Sequence, residues 1–173
     1  MDVPSKMKVF CCKLCSNAIP SRHNLWKRSC SPTPLCFLCG IEEESIEHIF
    51  FGCSLVRGIW FECCFGLRIC KEHIQSFDAW FAKVLSNSGG VEGLSIRVVF
   101  ICWFIWKMRC EVIFGGKQVD INGAICRIKL TTQEYLAVKN ECLVERVSKV
   151  EGSVVEVWGK PPVGWVKINC DGP

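Results

Sequence analysis

Four side chains stand close together in the sequence as C-x2-C-x8-H-x4-C: Cys36, Cys39, His48 and Cys53. Two cysteines separated by two residues form a tight turn that aims both sulfurs at one point. The histidine and the third cysteine then arrive within one short loop and one helical turn. Three thiolates and an imidazole are a complete tetrahedral set for Zn²⁺, with no open position. Such a closed set is structural, because no water can bind the ion and be activated there. The spacing predicts a zinc-stapled loop and argues against a zinc hydrolase. The alternative is a group of ordinary buried cysteines with a satisfied histidine, because the chain holds 15 cysteines.

Other groups with reactive side chains are less well ordered. Cys12-x2-Cys15 with His23 and Cys30 imitates a second metal set. Its spacing is loose and its first pair falls on an expected helix, so buried cysteines are the simpler reading. Cys63, Cys64 and Cys70 read as core or neutral positions, and His73 as a surface residue. A cysteine nucleophile needs a poised histidine and an orienting third group, and no such arrangement is readable. The glycine pairs at 89–90 and 115–116 give neither a P-loop nor a dinucleotide fingerprint. The tryptophans fall at helical spacing and read as core rather than as stacking platforms.

The elements that must position the metal set are helices. Lys8 to Asn17 suits a short helix stopped ahead of Pro20. Ser21 can cap a second one, with Leu25 and Trp26 inward. Ser29 to Leu35 is turn-rich and leads into the metal loop. Ser45 is a natural N-cap for Ile46 to Phe51, which puts His48 in the first turn. A helix around Leu55 to Cys63 follows, with Leu55, Ile59 and Trp60 on one side. Ser76 opens another, whose Phe77, Trp80, Phe81, Val84 and Leu85 share one apolar face. Leu94 to Phe114 is the expected central helix. It carries one stripe through Leu94, Val98, Ile101, Ile105, Met108 and Val112, and a second through Val99, Trp103, Trp106, Cys110 and Ile113. Two apolar stripes predict burial on both sides. Gly115 and Gly116 end it. Asp120 caps a last helix to about Val147, with Ile121, Ile125, Ile128, Thr132, Tyr135 and Cys142 along one side. Gly164 to Asp171 alternates like a strand.

Half of the 173 residues are hydrophobic and 22% are charged, which is enough apolar matter for a core and too little charge for general disorder. The first ten residues show no apolar signal region, so the cysteines are expected to stay reduced or metal-bound in an intracellular, nuclear or cytoplasmic setting. The longest apolar run, Val98 to Trp106, has nine residues, under half of the roughly 20 that span a bilayer. No membrane association is expected. The net charge of +4 is uneven. Lys6, Lys8, Lys13, Arg22, Lys27 and Arg28 lie before residue 40, whereas Glu42, Glu43, Glu44 and Glu47 crowd the metal loop. The basic arm could meet phosphate, and the acidic loop would oppose it.

The residues Ile19, Pro20, Arg22, Asn24, Leu25 and Arg28, then Cys36, Cys39, Glu44, Ser45, His48, Phe51, Cys53 and Trp60, together resemble the zinc-binding domain of plant reverse-transcriptase-related proteins from non-LTR retrotransposons. The later FIWKMRCEVIFGGK is similar to that family's downstream helix, with Cys110 where asparagine is usual; Cys12 stands where tryptophan is common. The tail, through Trp158, Pro161, Pro162, Gly164, Trp165, Lys167, Asn169, Asp171 and Gly172, resembles the opening of a plant ribonuclease H-like domain.

The resemblance implies a mainly α fold with a small structural CCHC zinc loop and one vestigial C-terminal strand. The expected parts are a zinc-binding domain at 5–66, a helical extension at 76–147, a linker at 148–162 and the ribonuclease H-like strand at 163–173. Asp171 would be the first carboxylate of a two-metal nuclease site. That site needs several more around ions ~4 Å apart, and the sequence runs only two residues past Asp171, so no nuclease activity is expected. The function implied is a non-catalytic, nucleic-acid-binding zinc module of retroelement origin. Its phosphate contacts would come from Lys13, Arg22, Lys27 and Arg28, and other polyprotein domains are further partners. A structural spacer, a protein-interaction module or a decayed fragment without selected activity are the alternatives.

Overall fold

The computed structural model describes residues 3–63, 74–86 and 93–152, with side chains as far as residue 140. Helix α1, Ser5–Cys15, buries Met7, Phe10, Cys11 and Leu14, the i, i+3, i+4, i+7 set of one face. The Asn24 side chain then gathers the connection to the next helix, donating to the carbonyls of Asn17 and Ile19. Helix α2, Arg22–Lys27, is capped by Ser21, whose hydroxyl accepts from the Asn24 N–H. A single π-helical turn spans His48–Gly52, and helix α3, Ser54–Cys63, follows it directly. Helix α4 is Phe77–Ser86, with the Ser76 hydroxyl accepting from Ala79 N. Helix α5 is Leu94–Gly115, and Gly116 ends it in a left-handed conformation at φ 60°. Helix α6 runs Ile121–Gly152, and its Asp120 cap accepts from Gly123 N at 2.8 Å.

The chain divides into two units, Met1–Leu136 and Ala137–Pro173. The first holds the described core. Helix α5 is its axis and packs against α1, α3, α4 and the π turn. Val98, Ile101, Cys102 and Ile105 are fully enclosed. An aromatic cluster ties the π turn to α3 and α4: Phe51 stacks on Phe77 at 5.6 Å, Phe77 on Phe81 at 5.8 Å, and Trp60 meets Trp80 edge-on at 5.6 Å. Tyr135 brings α6 against Phe100 of α5 at 5.3 Å. The described residues are mainly helical, with one isolated bridge between Leu35 and Glu43. The expected strand at 163–173 lies outside the described residues.

Three expectations about faces need correcting. Trp26 is 46% exposed, because adjacent residues of a short helix point about 100° apart and Leu25 takes the inward side of α2. Leu85 is also exposed, at the end of α4. The second stripe of α5 is only half covered. Val99 is buried, but Trp103, Trp106, Cys110 and Ile113 are partly exposed. Phe10 of α1 reaches Trp103 and Trp106, and the remainder of the stripe lines a groove.

Candidate metal centre

The first limb of the centre is a hairpin-like loop. Cys36 N donates to Glu42 O and Glu44 N to Pro34 O, each at 2.8 Å, which draws the two arms together beside the Leu35–Glu43 bridge. Between them Gly40 N donates to the Cys36 carbonyl at 2.8 Å, and Gly40 sits at φ 69°. That left-handed position closes the turn at a residue without a Cβ. The second limb is the helical turn after Ser45, whose hydroxyl accepts from His48 N at 3.1 Å. There the backbone widens, and Cys53 N donates to His48 O, five residues back, at 2.7 Å. In an α-helix five positions turn through about 500°, leaving two such side chains ~140° apart. The π turn cuts that offset and brings His48 and Cys53 closer to one side.

All four sequence-predicted donors meet. Cys36 Sγ, Cys39 Sγ, Cys53 Sγ and a ring nitrogen of His48 lie within 4.8 Å of one another, and all but Cys39 are buried. Cys39 Sγ is 3.3 Å from His48 Nε2. Tetrahedral zinc with bonds of about 2.3 Å to sulfur and 2.0–2.1 Å to nitrogen separates its donors by about 3.5 Å. The widest gap therefore exceeds that requirement by little more than an ångström. Glu42 Oε2 stands 3.4 Å from His48 Nδ1, on the far side of the ring from the sulfurs. That contact is an ion-pair approach and not a hydrogen bond; a carboxylate on that side is the kind of neighbour that orients a ligating imidazole with Nε2 toward a metal. The donor set, its enclosure and this outer carboxylate all fit zinc.

The thiols perturb one another strongly. The hydrogen bond with Cys53, and then burial, push the Cys36 thiol up to about 12. The same hydrogen bond holds Cys53 below the usual thiol value. Burial alone would lower His48, but the hydrogen bonds and charges of Cys36 and Cys39 outweigh it and raise the imidazole to about 9.

Glu44 is fully buried and is not part of a solvated acidic face. Its carboxylate accepts from Arg22 N at 2.7 Å and from Phe37 N, inside the cysteine turn, at 3.1 Å. Arg109 of α5 donates to it from Nε at 3.1 Å and from its terminal nitrogen at 2.5 Å, and also to Pro20 O at 3.2 Å. Sequence reasoning missed this pair. The available signal was a charged residue enclosed by the apolar positions Ile105, Met108 and Val112 of a buried helix.

The remaining candidates separate. Cys12, Cys15 and Cys30 are exposed, which overturns their reading as core thiols. Among the described residues they join no metal-binding group, and His23 pairs with Glu43 at 3.0 Å. Cys63 is buried in α3; Cys64, Cys70, His73 and Asp171 lie outside the described residues. Of the basic candidates, Lys13 lines the groove beside α5, and Arg22 is engaged, its guanidinium 3.6 Å from the Phe37 ring and donating to Leu35 O at 3.2 Å. Lys27 and Arg28 are exposed at the end of α2. Among the described residues no helix is long and apolar enough to cross a membrane.

These features define a helical protein organised beside a Cys₃His cluster of the structural-zinc type. Residues 1–60 match the model of a family described as zinc-binding in reverse transcriptase. Over 176 aligned residues the chain is 28% identical to an Arabidopsis thaliana protein provisionally named as a ribonuclease H protein; the match covers 98% of this chain and 28% of that relative. No solved structure gives a significant match.

Proposed function

We propose that Cys36, Cys39, His48 and Cys53 hold one structural Zn²⁺, and that the module so organised binds nucleic acid without acting on it. The meeting of four enclosed donor atoms within 4.8 Å carries the reading. A filled tetrahedron leaves the ion no position for a reacting water, so its contribution is folding energy for the loop. Exposed Lys13, Lys27 and Arg28 then offer phosphate contacts. The acidic run that argued for a spacer is weaker than its sequence suggests, because Glu44 is neutralised by Arg109 inside the protein.

Metal analysis of the purified protein tests the first part: one zinc per chain is expected, and Cys36→Ser is expected to lose it. Anisotropy with single-stranded RNA at two salt concentrations tests the second. Three phosphate contacts on a single strand give a slope of log K against log salt of about −2. Affinity indifferent to salt and to removal of the three charges would refute the binding role.

A further inference from the structure

The groove left by the second stripe of α5 has a chemistry of its own. It encloses about 640 Å³, within the range of about 300–1,000 Å³ typical of ligand clefts. One wall is the Trp103, Trp106, Ile113 and Phe114 face of α5; Phe114 is 81% exposed. The other is the Lys6, Val9 and Lys13 face of α1, with Val9 55% exposed. Phe37 and Arg22 close one end. Lys6 lies over the Trp103 ring at 5.8 Å, and Lys6 and Lys13 are seven residues apart on one helix, so their stems rise about 10 Å from one another along it. Among the described residues no aspartate or glutamate lines the groove.

We infer that this groove takes a single strand of nucleic acid, with unpaired bases against the α5 aromatic face and the phosphates on Lys6 and Lys13. The charge pattern selects a polyanion, and the apolar floor selects one with exposed flat rings. A duplex offers the charge but hides its base faces, whereas a single strand offers both. An acidic protein segment would find the cations but has no comparable use for a row of aromatic rings. The inference rests on the nucleic-acid-binding reading above and assigns the surface that performs it.

The full chain, loaded with zinc, is titrated into a fluorescent single-stranded 15-mer and into the same sequence as a duplex. Single-strand binding is expected to be tighter, and to quench tryptophan emission. Phe114→Ala, at a position too exposed to unfold the protein, is expected to weaken single-strand binding about fivefold or more and to leave zinc content and circular dichroism unchanged. Lys6→Gln with Lys13→Gln is expected to flatten the salt slope by about 1.4. Duplex binding as tight as single-strand binding, or unaltered affinity in both groove variants, overturns the inference. If Lys27→Gln with Arg28→Gln abolishes binding while the groove variants do not, nucleic-acid binding stands and the groove assignment falls. If no oligonucleotide binds but a glutamate-rich amphipathic peptide does, both fall.

Discussion

Arg109 reaches Glu44 across 65 positions of sequence, and neither residue is open to water. Four N–H donors converge on that one carboxylate, from the start of α2, from the cysteine turn and from α5. A buried ion pair is a weak source of net stability, yet breaking one by removing a single partner commonly costs 3–5 kcal/mol, because the other charge is stranded. Arg109→Met is therefore expected to destabilise the protein by about 3–5 kcal/mol in urea unfolding. Arg109→Met combined with Glu44→Gln is expected to lose clearly less than the sum of the two single changes, since the residues form one network. The sequence did not disclose this pair. Glu44 stands in a run of three glutamates that reads as a wet surface, and only tertiary packing picks out the middle of the chain as its partner.

At the scale of elements, far more was legible. Ser21, Ser45, Ser76 and Asp120 each cap the helix that their position announced, because a short oxygen side chain ahead of an apolar period satisfies otherwise orphaned N–H groups. The C-x2-C-x8-H-x4-C spacing located the Cys₃His cluster for a similar reason, since all four donors lie on one short stretch. Two things were hidden. The π widening between His48 and Cys53 follows no sequence period. The half-open second face of α5 depends on how far α1 extends over it, which apolar spacing alone does not record. The π turn has its own support: Trp60 Nε1 donates to the Phe50 carbonyl at 2.6 Å, in the core. Trp60→Phe keeps the ring but orphans that carbonyl, so a loss of about 1–3 kcal/mol is expected in thermal or urea unfolding.

For the molecule as a whole, zinc at the proposed site is expected to reverse the response to pH. Without metal, His48 has a folded value of about 9 against 6.5 for the free side chain. Its contribution is then fully present below about pH 6.5 and is lost as pH rises through about 9. With zinc bound the ion replaces the protons on the thiols and the imidazole, so its hold tightens as pH rises. Urea midpoints measured from pH 6 to 9.5 are expected to fall with pH in the presence of a chelator and to rise with pH in the presence of zinc. Parallel curves would show that the metal does not occupy these four ligands.

The long reach of Arg109 also bears on inheritance. The family-model match ends at residue 60, yet the carboxylate inside that stretch finds its countercharge at position 109. A peptide cut at the family boundary would carry a stranded anion at its heart. A segment that keeps the first 60 residues folded as they are here needs α5 as well, so the structural unit is nearly twice as long as the stretch the family model matches.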